Sequence, residues 1–331
     1  MLRLTRTATH LLVAAAALTA VQSAPAQNNN QTESNTLRRL NIFQHLDAGV
    51  TVGTTGLGID LSTHITDYVR VRMGFDFTPS FSVPLDFSLQ SYTDGGGVNA
   101  NNFDKLQSYM YTLTSVEVDN KVELDGKPTM KNFKFLVDVY PWTDKGWRVT
   151  AGFYAGPSRI AKAMNTINEM PSLIAVNIYN NFYDYIQSDA AIDEPFFGDN
   201  YWDPFMIEEL REKLDGQGRM GIHVGDFKDG RPYMMLPDKD GMVKAAAFVN
   251  RFKPYLGLGY TGDLGASKRW NIDVDCGMMM WGGSPKIITH DGTDLTNDVE
   301  NIKGRPGDYV KAITAFKVYP VVSVRFAYKF F

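Results

Sequence analysis

The sequence predicts an all-β fold, a closed antiparallel transmembrane barrel of eight strands with long extracellular loops that hold short helices. Three observations predict it: a period of two in hydrophobicity that recurs in eight segments, an export signal at the start, and aromatic residues gathered at one end of the segments. A bilayer leaves no backbone polar group unpaired, so strands cross it only by closing on themselves. Such strands need about 9 to 11 residues and alternate apolar-out with polar-in.

The first element is the signal. Arg3 and Arg6 make a basic start, Leu11 to Val21 is an apolar run too short to span as a helix, and Ala24-Pro25-Ala26 is a small-x-small site cleaved between Ala26 and Gln27. The expected organisation is a signal over 1–26, a flexible asparagine-rich lead-in over 27–43, and the barrel over 44–331. No apolar stretch of helix-spanning length follows, which excludes a helical membrane protein.

In strand order, Leu46, Ala48, Val50 and Val52 alternate with polar or small residues, as do Leu57, Ile59, Leu61 and Ile65, then Val69, Val71, Met73, Phe75 and Phe77. The pattern returns at Phe133 to Val139, Trp147 to Phe153, Phe252 to Tyr260, Ile272 to Met278 and Val322 to Phe330. The links at 141–146 and 262–269 are short, whereas 91–130, 161–242 and 284–318 are long insertions. Short periplasmic turns and long outer loops are the habit of outer-membrane barrels. Within the longest insertion, Asp203-Pro204 predicts a helix start, with an N-cap followed by proline, and Ser172 to Ile186 predicts an amphipathic helix.

The opposite faces of these strands carry the candidate site, an interior charge network of Asp47, Asp60, Asp76, Asp138, Asp273 and Asp275 with Arg70, Arg72, Lys134, Arg148, Arg325 and Lys329. Arg251 and Lys253 read as inward too. Eight strands enclose only enough room for side chains, so these groups should pair rather than line a channel. Tyr68, Tyr140, Trp142, Trp147, Tyr260, Trp270 and Tyr328 read as the membrane-interface aromatics of the periplasmic side.

Charge and motifs exclude several functions. The net charge of −4 becomes −6 without the signal's Arg3 and Arg6, which argues against a nucleic-acid partner. Gly257, Gly259 and Gly262 match a dinucleotide fingerprint only formally, since no helix pattern follows. His45, His64, His223 and His290 lack metal spacing, Asp291, Asp294 and Asp298 lack the calcium-loop pattern, and the lone Cys276 reads as a small apolar packing residue. No cofactor, metal or catalytic set is expected.

Specific strings also carry a resemblance. Val52-Gly53-Thr54-Thr55-Gly56-Leu57-Gly58, Val-Arg-Met-Gly-Phe at 71–75, Val-Tyr-Pro-Trp at 139–142, Trp-Arg-Val-Thr-Ala-Gly-Phe-Tyr at 147–154, Lys-Pro-Tyr-Leu-Gly-Leu-Gly at 253–259, Gly-Ser-Pro-Lys at 283–286 and the closing stretch 319–330 are similar to a "VGTTGLG" group of small Gram-negative outer-membrane barrels. The resemblance covers the strands and not the loops. It implies residence in the outer membrane and handling by the barrel-assembly machinery through a terminal aromatic, with Tyr328, Phe330 and the additional Phe331 as the assembly signal. It supplies no catalytic residues. The functional expectation is a membrane scaffold whose loops bind an extracellular ligand or serve a surface-structural role, with Tyr179 to Tyr185 and Phe196 to Trp202 as contact stretches. The alternatives are a small-solute pore and an outer-membrane enzyme acting on lipid A or peptides.

Overall fold

The computed structural model describes residues 45–93, 98–99, 103–142, 146–196, 198–302, 304–315 and 317–330. The expected signal with its Ala26–Gln27 cleavage point, the lead-in and Phe331 lie outside the described residues.

In chain order the strands are β1 (Leu46–Gly53), β2 (Gly56–Thr66), β3 (Val69–Phe77), β4 (Val83–Tyr92), β5 (Val98–Asn99), β6 (Lys121–Pro128), β7 (Lys131–Val139), β8 (Trp147–Ala155) and β9 (Arg159–Asn165). They continue as β10 (Arg219–Phe227), β11 (Pro232–Met235), β12 (Lys244–Phe248), β13 (Phe252–Leu264), β14 (Trp270–Met280), β15 (Lys286–Thr289), β16 (Val299–Glu300) and β17 (Val318–Lys329). Among the described residues, β1, β2, β3, β7, β8, β13, β14 and β17 close an antiparallel barrel, and β17 pairs back onto β1 from Lys329 opposite Asp47 to Ser323 opposite Gly53. Closure leaves no open edge. Every predicted strand segment falls on one of these eight strands.

The long insertions build a second sheet of nine strands, in the order β11-β10-β4-β6-β9-β12-β15 with β5 and β16 on its margin. It is the barrel wall carried further, because β4, β6, β9, β12 and β15 directly adjoin β3, β7, β8, β13 and β14 in the chain and keep their order. Thr129 N donates to Ile160 O at 2.7 Å and Gly156 N to Arg251 O at 3.1 Å, which bridges the junctions. On the side of β1 and β2 the wall stops at the hairpin around Gly56 (φ +102°), where an added Cβ would strike the Phe77 carbonyl.

Among the described residues five α-helices join this cap: α1 (Phe103–Thr114), α2 (Met170–Gln187), α3 (Ala190–Asp193), α4 (Pro204–Asp215) and α5 (Gly304–Ala315). α4 starts as predicted, with the Asp203 carboxylate accepting from Phe205 N at 2.9 Å and Pro204 in its first turn. α2 buries Leu173, Val176, Tyr179, Tyr183 and Ile186, a stripe at helical spacing. Asn180 fixes it to β10 through both amide ends, Nδ2 to Met220 O at 2.8 Å and Oδ1 from Met220 N at 2.9 Å. The cap's core runs into the barrel through Met130, Leu136, Tyr154, Tyr255 and Met279.

Candidate functional site

Alternation sends one face of each barrel strand inward. On β14, Asn271, Asp273 and Asp275 are buried while Val274 and Cys276 are exposed. Cys276 thus lies on the outer surface rather than in a packed core, because it shares the parity of Val274 and Met278.

Five carboxylates and five cations meet in the interior and pair across it. Arg70 reaches Asp138 at 2.8 Å and Asp273 at 3.1 Å, and Arg72 reaches Asp138 at 2.8 Å and Asp275 at 2.9 Å. Arg148 bridges Asp273 at 3.2 Å and Asp275 at 2.7 Å, while Arg325 bridges Asp60 at 2.6 Å and Asp273 at 2.8 Å. Lys134 holds Asp60 at 3.1 Å and Asp76 at 2.8 Å. Thr51, Thr55, Thr150 and Thr261 donate to the same carboxylates. Glycine makes the room, since a Cβ on Gly259 would lie 2.7 Å from Arg148 Cζ and one on Gly49 would collide with the Arg325 guanidinium. Gly257 and Gly259 of the formal dinucleotide fingerprint are therefore a space requirement on β13, while Gly262 meets only ordinary contacts. Buried charges cost several kcal/mol each unless they are paired.

The other predicted members lie at the ends of this network. Asp47 accepts from Ser62 Oγ at 3.2 Å, and Lys329 stands opposite it in the ladder, half-buried. Lys253 is buried and donates to Asn132 at 3.1 Å. Arg251 is exposed, not inward, since it precedes β13 in a bend.

Further buried side chains pack at both ends of the interior. At the short-turn end, Tyr140 packs over His64 with ring centroids 6.1 Å apart and lies 3.3 Å from Thr261 Oγ1. It is 4% exposed, which corrects its expected place in the aromatic belt. It keeps the inward parity of Asp138 one position beyond the strand. At the long-loop end, Leu136, Tyr154, Tyr255, Met279 and Val321 are buried, and the Tyr154 and Tyr255 rings meet edge-on at 5.6 Å.

The other six expected aromatics face outward. Tyr68, Trp142, Trp147, Tyr260 and Trp270 are exposed and Tyr328 half-buried, with Trp147 against Tyr260 at 5.4 Å and Trp270 against Tyr328 at 4.9 Å. A second girdle at the long-loop end has no counterpart among the sequence expectations. There Phe75 meets Phe133 at 5.4 Å and Phe153 meets Phe252 at 5.0 Å. Val50, Ile59, Met73, Leu256, Leu258, Val274, Val322 and Phe326 fill the zone between the girdles, all of them exposed.

In the cap, Tyr179 and Tyr183 are core residues, Tyr179 donating to Gly218 O at 3.1 Å, while Phe182 and Tyr185 of the same stretch are half-buried. Phe196 remains exposed and packs on Trp202 at 4.5 Å beside exposed Tyr201. Asp291 organises a turn by accepting from Tyr233 Oη at 2.8 Å and Thr293 N at 3.0 Å. Burial acts to raise its carboxyl, but these bonds and the one from Thr289 outweigh burial and hold it below the ordinary value. Asp294 serves the next turn through Thr296 N at 2.9 Å. His223 lies 3.0 Å from Gln90, and His290 Nδ1 accepts from Lys244 N at 3.4 Å. Among the described residues no cluster of three or more His, Cys, Asp or Glu could hold a metal.

Fold and interior together define a closed, charge-filled antiparallel barrel bearing a folded cap. No protein-family model and no curated protein matches the chain. Among solved structures, the chain is similar to Acinetobacter baumannii CarO2, at 15% identity over 87% of this chain and 99% of that one, with a TM-score of 0.36. CarO of the same organism gives 15% identity over 87% and 98%, with a TM-score of 0.35. A major outer membrane protein of Thermus thermophilus gives 9% identity over 86% and 98%, with a TM-score of 0.29. The likenesses are distant, and the barrel stands on its own ladder of paired strands.

Proposed function

We propose that this chain is an outer-membrane protein whose barrel is a closed anchor and whose cap, held outside the cell, carries the binding or surface-structural work. The membrane part of the reading is supported by the exposed apolar zone between two aromatic girdles. In water each half-exposed Leu, Ile or Phe of that zone would cost roughly 1 kcal/mol, whereas lipid tails remove the cost. The short turns then face the periplasm and the cap faces outward. In this reading outer-membrane lipid is the first partner, and Tyr328, Phe330 and Phe331 present the assembly signal to the barrel-assembly machinery.

The observation that carries the choice between anchor and pore is the paired interior. Arg70, Arg72, Lys134, Arg148 and Arg325 neutralise five aspartates, and the buried side chains of Tyr140 and of Tyr154 and Tyr255 pack toward its two ends. An ion would have to break several charge-assisted bonds to pass. Purified protein in planar lipid bilayers should show no single-channel steps across physiological voltages. Steady stepwise conductance would replace the anchor with a pore.

A further inference from the structure

The cap sheet and α5 border a pocket of about 290 Å³. Its floor follows from residue size. Across β6, β9 and β12, Gly126, Ala163 and Ala245 stand in one row, and Pro128, Ala161 and Ala247 in the next. Leu85, Phe87, Leu124 and Ile287 wall it, and Tyr309, Val310 and Ile313 of α5 cover it. Its side chains offer little to a polar ligand. The Thr289 hydroxyl is engaged by Asp291 and Tyr233, and the Lys127 ammonium by Asp125 at 3.0 Å. Lys162, half-exposed, is the other basic residue of the lining.

Size and access narrow the occupant. An apolar cavity of about 150 Å³ stays dry and takes up benzene, so one twice as large has room for a hydrocarbon chain. The lining residues that remain exposed are Phe81 at 55% and Tyr309 at 45%, which places the opening between the β3–β4 junction and α5. Phe81 follows Phe75 and Phe77, which are 60% and 45% exposed at the outer end of β3. On the membrane reading, the mouth therefore lies beside the outer end of β3 that faces lipid. Below the cap, the Leu136, Tyr154, Tyr255 and Met279 layer separates the cap from the ion-paired interior, so a chain entering the pocket has no path through the barrel.

We propose that this pocket binds one acyl chain of a lipid drawn from the adjoining outer leaflet, with the lipid headgroup left outside. The proposal rests on the membrane reading above. The test uses the full chain in phosphatidylcholine vesicles doped with a phosphatidylcholine whose decanoyl chain ends in a diazirine, with crosslinks mapped by mass spectrometry. Illumination should label peptides of β9, β12 and α5 together with the belt peptides around Val274 and Phe326. Ala163→Phe and, separately, Ala245→Phe fill the floor and should reduce the pocket labels to the unilluminated background while the belt labels persist, which also reports correct folding. Belt labels without pocket labels in the unaltered protein would overturn the proposal, as would pocket labels unchanged in both variants. Labelling of the pocket by free diazirine-tipped decanoic acid but not by the phospholipid would equally overturn it, since the source would then be the medium. Absent belt labels would remove the membrane reading itself, and the proposal with it.

Discussion

Asp273 shows how the interior works at the scale of one residue. It accepts from Arg70, Arg148, Arg325 and Thr261, so its charge serves three guanidiniums from three different strands. Asp273→Asn keeps the shape and removes the charge. Because it strands buried cations, it should lower stability by about 3 to 5 kcal/mol in urea unfolding from lipid vesicles, and a loss under about 1 kcal/mol would contradict the network. The inward position of Asp273 is legible in the sequence, because period-two alternation alone decides which face a side chain takes. Its partners are not legible, since Arg70 meets it across 203 positions of chain and only strand order and register create that contact. Tyr140 departs from its expected place for a narrower reason: the alternation of β7 carries one step past Val139 and turns the ring inward, although belt composition suggests the opposite.

At the scale of elements, the barrel strands are readable from sequence and the cap strands are not. Barrel strands run eight to thirteen residues with one face in contact with polar groups, so their pattern is long and clean. Of the cap strands, β5, β11, β12, β15 and β16 have five residues or fewer, and the longer β4 and β10 lie within the insertions, away from the barrel's repeating pattern. Lys244–Phe248, with three consecutive alanines, lacks the β-branched residues that mark a strand. The helices α2 and α4 are legible from spacing and capping. The turn leading into β12 gives this layer a test. Asp238 accepts from Asp240 N at 3.0 Å, Met242 N at 2.9 Å and Lys244 Nζ at 2.8 Å. Burial acts to raise its carboxyl, but those bonds outweigh it and hold the group below its ordinary value. A lowered carboxyl contributes stability that is present above the ordinary value and is lost as pH falls through the lowered one. Amide exchange at Asp240 and Met242 should therefore quicken on acidification below about pH 4 beyond its intrinsic trend, and Asp238→Asn should flatten that response. An identical pH response in the variant would contradict this role.

For the whole molecule, the two sheets divide the labour: the barrel neutralises its interior and offers an apolar exterior, and its wall continues as the sheet that forms the cap. The central claim is that lipid tails cover that exterior. Cys276 offers a direct probe, because it sits exposed within β14 on the outer face, ladder partner to Leu258 on one side and Val322 on the other. A charged, membrane-impermeant maleimide is the reagent, applied to the folded protein in phospholipid vesicles and again after urea unfolding. The account predicts no modification of Cys276 in the folded state and complete modification once unfolded. Prompt labelling of the folded protein in vesicles would show that water, not lipid, meets this face, and would contradict it.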